Sequence, residues 1–449
     1  MTSTPETDQT VATSTTPDRA GAPRPRRRAA AIVLMLFGFL LLNYADKVVV
    51  GITGIPIIKE LGITREQFGL VQSSFFWLFA VGAIIGGLLL TRIPARWLLA
   101  GVALLWVVSL APLMGSVTFG VLIASRVLLG FAEGPATAMA TTVVHSWFPA
   151  DKRALPTSIV QAGAGIGAFI ASPTLTWLLV NHSWHAPYIA LVAVGIVWAV
   201  LWVFVGGTGE YASDRAQAHT VAGPLPDRVP YLRLFGSPTI LGLLVLFFTT
   251  YCSTALKVSW LPLYLQEGLG YTTEESGILV ALPYVAAAVI MITAGAISGW
   301  LTGRGMTSRV SRCLFASGLA VTGGISTLAF ALMDRSALQM FVIVVGASAA
   351  GASYGLCFSA LSDVVPARQR GVVMSVVVAV YSLGGLAAPL MLGRIIDSAE
   401  TVADGYARGF VILGIVVVVG GVVSAFTTNP ERDAARFRRA AGMDPALAR

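Results

Sequence analysis

Five ionisable residues interrupt stretches of chain that are otherwise apolar: Asp46 and Lys47, Arg126 and Glu133, and Lys257. A charge at the centre of a bilayer costs about 2.5–3.5 kcal/mol on insertion scales, so such residues usually face an aqueous cavity and mark a substrate or proton path. Three cations against two carboxylates leave one net positive charge, which points to an anionic solute. Arg126 and Glu133 are seven residues apart. In a helix that is two turns on one face and about 10 Å along the axis, so the two line a cavity at different depths. Asp46 and Lys47 are neighbours and point about 100° apart, so one can face packed helices while the other faces the cavity. Lys47, Arg126 and Lys257 are the expected anion ligands, arginine as a bidentate fork and lysine as a point charge. Asp46 and Glu133 are the expected proton carriers, because a carboxylate's hold on a proton changes when a cationic partner leaves it. Anion binding neutralises the cations and protonation frees the carboxylates, so each event favours the other, and symport follows.

The same residues have plainer readings. Arg126 with Glu133 could brace helix packing, Asp46 could serve only to neutralise a cation, and Lys257 could snorkel to an interface. Tyr44 and Gln161 are expected at the substrate site, because a polar atom in mid-bundle needs a partner. Phe76, Trp77, Trp260 and Tyr381 are further candidates, although most membrane aromatics fill space or anchor at an interface. Gly163, Gly165 and Gly167 read as close helix packing.

The elements that position these groups follow from composition. Hydrophobic residues make up 56% of 449, charged residues 12%, and mean hydropathy is +0.78. A soluble domain carries about 25% charge. Twelve apolar stretches approach the roughly 20 residues needed to cross a bilayer: about 29–52, 68–91, 95–115, 118–143, 156–180, 186–206, 237–265, 274–301, 312–333, 338–362, 370–396 and 405–427. The expected fold is an all-α membrane protein with twelve transmembrane helices in two six-helix bundles. Placing the ends of the chain and the even-to-odd loops on one side puts 22 of the 30 Lys and Arg there. By the positive-inside rule both termini are cytoplasmic. The basic pI of about 9.6 follows from that asymmetry and implies no nucleic acid partner. Arg24, Arg26, Arg27 and Arg28 would hold the anionic lipid surface.

The domain reading is a disordered cytoplasmic tail at 1–28, a first bundle at 29–206, a cytoplasmic linker at 207–236, a second bundle at 237–427 and a cytoplasmic tail at 428–449. No cleavable signal peptide is visible, so the first helix is expected to stay. A weak internal repeat relates the bundles: Pro149, Arg153 and Ser158 recur at a constant offset as Pro366, Arg370 and Ser375, and Gly167 as Gly384. Duplicated halves with a site between them suit a transporter. Cys252, Cys313 and Cys357 are too few and too widely spaced to imply a disulfide framework or metal site. Phosphate-loop and zinc-protease motifs are absent from the sequence, so no enzyme is expected and an ion gradient, rather than a cofactor, supplies the energy.

Three motifs carry a family resemblance: Asn43-Tyr44-Ala45-Asp46-Lys47, the run from Arg126 through Gly130 and Glu133 to Pro135, and Trp147-Phe148-Pro149 with Arg153. With Trp260-Leu-Pro262-Leu-Tyr264 and the stretch from Gly384-Gly385 to Pro389, the chain resembles the major facilitator superfamily and, within it, the anion:cation symporter family of proton-coupled sugar-acid and organic-anion carriers. Departures are Lys47 where Arg is usual, Thr91 before Arg92 where Asp is usual, Pro94 for Gly, and Ser382 where many members place Asn. Ser382 joins the expected substrate-binding residues on this resemblance.

The expected function is import of a small organic anion, a sugar acid or other carboxylate, by proton symport through alternating access. The rivals are a proton-coupled exporter or drug antiporter of the same fold and a non-transporting membrane sensor. The expected partners are the anion, protons and the lipid bilayer, the expected state a monomer, and the expected location a bacterial inner membrane.

Overall fold

The computed structural model describes residues 24–90, 92–149, 152–207, 209 and 228–441. Most of the expected N-terminal tail, Thr91, most of the linker and the last eight residues lie outside the described residues. Twelve helices are long and apolar enough to cross a membrane: α1 (Arg27–Ile52), α2 (Arg65–Leu89), α3 (Ala95–Met114), α4 (Phe119–Trp147), α5 (Leu155–Asn181), α6 (Ala186–Val205), α7 (Pro238–Gly268), α8 (Thr273–Gly303), α9 (Arg309–Ala331), α10 (Ala337–Val364), α11 (Arg370–Asp397) and α12 (Val402–Thr427). Helical structure in the first span already begins at Arg24, inside the segment expected to be a tail.

Within the first half α1 packs along α5 and α6, and α3 along α6; within the second, α7 packs along α11 and α12, and α9 along α12. Between halves α1 meets α7, α2 meets α11, and α5 meets α8. If α1 corresponds to α7 and α2 to α8, the last two contacts are the same contact seen from either half. The correspondence extends to helix starts. Thr64 and Gln67 form a reciprocal capping box at α2, and Thr272 and Glu275 form another at α8.

Four spans are interrupted: α2 at Phe75–Leu78, α4 at Gly134–Pro135, α8 at Val280–Ala281 and α10 at Ala347–Ser348. Irregular backbone at membrane depth is tolerated only where it is buried in protein or lines a water-filled cavity. The breaks in α8 and α10 are tied by the Ser348 hydroxyl, which donates to Pro283 O at 3.2 Å.

Gly163 and Gly167 seat α5 on the α1 backbone at Phe37 and Leu41 with no room for a Cβ, whereas a Cβ at Gly165 would make only ordinary contact with Ala288 of α8. Across the halves, Gly69 of α2 abuts the backbone at Pro389, and Gly393 of α11 abuts the backbone at Arg65. On that face, opposite the one where α1 starts and α12 ends, the halves are also bridged by charge. Arg65 grips Glu267 at 2.9 and 3.3 Å, Tyr406 donates to Glu267 at 3.1 Å, and Arg394 meets Glu66 at 2.6 Å. Asp397 accepts the free N–H groups of Arg65 and Glu66 at 3.2 and 2.7 Å, an anion at the helix N-terminus of α2.

The segment after α12 is more than a tail, because Pro430–Ala440 forms a further helix, α13, capped by Asn429. Its buried face carries Asp433, Ala434 and Phe437. Asp433 accepts from the Ser237 hydroxyl at 2.6 Å and the Thr239 N–H at 3.0 Å, at the start of α7. Burial pushes this carboxyl up, but hydrogen bonds from Arg432, Ser237 and Thr239 outweigh burial and hold it below its ordinary value. A depressed folded value means the contribution to stability is present above the unfolded carboxylate range and lost as pH falls through the folded value. Asp433→Ala should loosen α13 by about 1–3 kcal/mol, read as faster tryptic cleavage at Arg432 and Arg436. Acidification of the unaltered protein should produce the same local opening.

Candidate functional site

Four of the five charged residues, Asp46, Lys47, Arg126 and Glu133, lie within one another's fields between α1 and α4, and Lys257 is engaged in the second half. On α1 the partly exposed positions Tyr44 and Lys47 share one stripe, while Asp46 turns inward and is 3% exposed. Lys47 Nζ lies 3.0 Å from Glu133 Oε2 on α4, donates to Asn43 Oδ1 at 2.8 Å, and sits 4.5 Å from the Tyr44 ring centroid. Glu133 immediately precedes the α4 break, and its side chain is fully buried.

Two turns back on α4, Arg126 is 3% exposed. Its guanidinium lies 4.8 Å from the Phe75 ring, and its Nε and Nη1 have no hydrogen-bond partner. Among the described residues Arg126 makes no ion pair. The bracing pair that the seven-residue spacing allows, Arg126 with Glu133, is therefore replaced by Lys47 with Glu133. Asp46 lies within the fields of Glu133, Arg126 and Lys47 without closing an ion pair of its own among the described residues.

Lys257 stands on the half-exposed stripe of α7 with Tyr251 and Thr254. Its ammonium donates to Ala347 O at 2.8 Å, a carbonyl at the α10 break. It is thus engaged inside the second half rather than snorkelling to an interface.

The remaining expected residues divide. Tyr44 faces the centre, within electrostatic reach of Tyr251, Tyr284 and Tyr381. Gln161 donates to Thr141 at 3.1 Å, joining α5 to α4. Ser382 is buried, and its hydroxyl bonds back to Val378 O at 2.7 Å. Its neighbour Tyr381 meets Tyr251 in a tilted contact, 4.5 Å between centroids. Trp260 is fully buried and donates to Pro389 O at 3.2 Å, whereas Trp77 is exposed. Reasoning from sequence passed over Tyr251, Tyr284 and Tyr354. The usable signal for Tyr251 was its place one turn before Thr254 and two before Lys257 on an otherwise apolar helix.

A family model described as Major Facilitator Superfamily matches residues 35–389. The chain belongs to the major facilitator superfamily. Members of the superfamily are transporters and not enzymes, and this chain is a multi-pass membrane protein of that kind. It is 24% identical over 401 residues to the hexuronate transporter of Bacillus subtilis, covering 86% of this chain and 93% of that protein. It is 25% identical over 421 residues to the D-galactonate transporter of Escherichia coli O6:H1, covering 89% and 96%. Among solved structures, a bacterial homolog of the human lysosomal transporter Spinster in an inward-facing, unoccupied conformation superposes with a TM-score of 0.74 at 18% identity, over 92% of this chain and 99% of that one. The D-xylose-proton symporter gives 0.69 at 15% identity, over 90% and 98%. These likenesses carry the superfamily fold.

Removing one partner of a buried ion pair is strongly destabilising because it strands the other charge. Lys47→Met should cost about 3–5 kcal/mol by leaving Glu133 unpaired, and Lys47→Met with Glu133→Gln should recover most of that loss. Denaturant unfolding in detergent measures both. Additive losses would mean that the pair is not coupled.

Proposed function

We propose that this chain imports a small organic anion with protons across a bacterial inner membrane, by alternating access between its two halves. The observation that carries the reading is Arg126, a buried guanidinium with two unpartnered nitrogens and, among the described residues, no carboxylate in salt-bridge contact. A buried cation with unfilled donors is costly, and an incoming carboxylate or similar anion fills them by a bidentate fork. The names of the relatives, a hexuronate and a D-galactonate transporter, agree with an acid as cargo.

The proposed cycle starts with the face bridged by Arg65, Glu267, Glu66, Arg394 and Asp397 closed, so the site is reached from the face of the termini. An anion arriving at Arg126 competes with Glu133 for Lys47. Glu133, losing its cation in a buried setting, takes up a proton. Asp46, in the field of the same charges, is the second proton carrier. Binding and protonation then favour one another, which is the coupling that symport needs. Return to the other state requires the bridges on the closed face to part.

In liposomes with an inward proton gradient, Glu133→Gln should abolish accumulation while keeping solute exchange. Undiminished accumulation would remove Glu133 from the coupling. Arg126→Ala should weaken anion binding by about 100-fold or more, the loss of two charge-assisted hydrogen bonds, as measured by calorimetry. Stabilisation of the purified protein by lipophilic amines alone would favour the antiporter instead.

A further inference from the structure

The central site contains more aromatic surface than an anion alone requires. From Arg126 a chain of rings crosses between the halves. Phe75 lies beneath the guanidinium, Phe76 meets Phe75 edge-on at 4.9 Å, Tyr251 meets Phe76 edge-on at 5.7 Å, and Tyr381 is tilted against Tyr251 at 4.5 Å. Phe76 rests on Gly385 of α11 where no Cβ fits, so the ring from the first half is seated on bare backbone of the second. Tyr44 and Tyr284 approach the same centre, and the Tyr284 hydroxyl is buried without a hydrogen-bond partner.

Several polar side chains suited to reading a string of hydroxyls already hold one partner within the protein, although the Asn43 Nδ2 is left unpartnered. Gln161 is bonded to Thr141, Thr254 to Thr250 O at 3.2 Å, Ser382 to Val378 O, and Asn43 Oδ1 receives Lys47. A sugar acid carries a hydroxyl on nearly every carbon. Each one desolvated without a partner weakens binding. A planar ring has no such demand, and it meets aromatic neighbours in the offset and edge-on arrangements already present among these side chains.

We infer that the cargo is an aromatic carboxylate, its acid group held by Arg126 and its ring docked among Tyr44, Phe76, Tyr251, Tyr284 and Tyr381. The inference rests on the anion-carrier reading and narrows it. The unpartnered Tyr284 hydroxyl fits one polar ring substituent, such as the hydroxyl of 4-hydroxybenzoate.

The test is calorimetric titration of the full chain in lipid nanodiscs with benzoate, 4-hydroxybenzoate, cyclohexanecarboxylate, gluconate and glucuronate. Benzoate should bind about tenfold tighter than gluconate and several-fold tighter than cyclohexanecarboxylate, which has the bulk without the π system. Tyr251→Leu should bring the benzoate-to-cyclohexanecarboxylate ratio towards one. The comparison of ligands on the unaltered protein stands even if that variant does not fold. Tighter binding of gluconate or glucuronate than of benzoate would overturn the aromatic assignment and leave the anion carrier standing. Equal affinity for benzoate and cyclohexanecarboxylate would replace aromatic recognition by simple apolar fit. No binding of any acid would overturn both readings.

Discussion

A lysine and a glutamate 3.0 Å apart in the middle of an apolar bundle set the terms for the rest of the structure. Neither charge survives alone at that depth, so α1 and α4 must stay in register, and Asn43 and Tyr44 are placed to complete the shell of the ammonium. The same demand reaches the backbone. Breaks in α2, α4, α8 and α10 free peptide groups within the spans, and these need polar partners or water as the charges do. Lys257 meets one such need by bonding the Ala347 carbonyl, so a cation of the second half is held by a helix break and not by a carboxylate. Arg126 and Glu133 both keep buried polar atoms without a hydrogen-bond partner, but Glu133 has an ion pair with Lys47, whereas Arg126 has none among the described residues. On the proposed reading, that asymmetry seats the ligand at Arg126.

Closure between the halves rests on a different balance. Arg394 and Glu66 are largely solvated, with side chains 63% and 44% exposed, so their contact adds little, about 0–1 kcal/mol. Arg65 and Glu267 are better shielded, and Tyr406 orients the carboxylate. Backbone contact at Gly69 and Gly393 is the less adjustable part, because any side chain there would pry α2 from α11. On the proposed cycle this is the face that must part, and a ligand shifts that equilibrium only by its differential affinity for the two states.

Much of the fold was legible in the sequence, since twelve long apolar stretches separated by polar turns leave few alternatives, and every expected stretch overlaps an observed span. The helix at Pro430–Ala440 was not, because its average polarity reads as a tail while its apolar face appears only when residues are placed on a helix. The five charged residues were legible for the reason that they are costly. Their pairing was not: whether Glu133 meets Arg126 on its own helix or Lys47 on another depends on how α4 lies against α1. Ser382 shows the limit of matching positions to a family pattern, since its hydroxyl is spent on its own helix and the adjacent Tyr381 reaches the centre. Tyr251, Tyr284 and Tyr354 were hidden by their ordinariness, because one tyrosine in a membrane helix says little until several helices bring their rings together.

On the proposed cycle, the charge of the site constrains the stoichiometry. Lys47, Arg126 and Lys257 against Asp46 and Glu133 leave the empty site at one net positive charge when both carboxylates are ionised. A monoanion brings that to zero, and one proton on Glu133 restores it. The loaded and empty carriers then present the same net charge to the membrane potential, which is worth about 2.3 kcal/mol per charge per 100 mV. With one proton the potential therefore acts alike on both reorientations, and accumulation is driven by the pH difference alone. A second proton, on Asp46, would make the loaded carrier the more positive of the two, so an inside-negative potential would pull it inward in preference to the empty one. The pair of carboxylates thus gives the site room for either regime, and the occupancy of Asp46 decides between them.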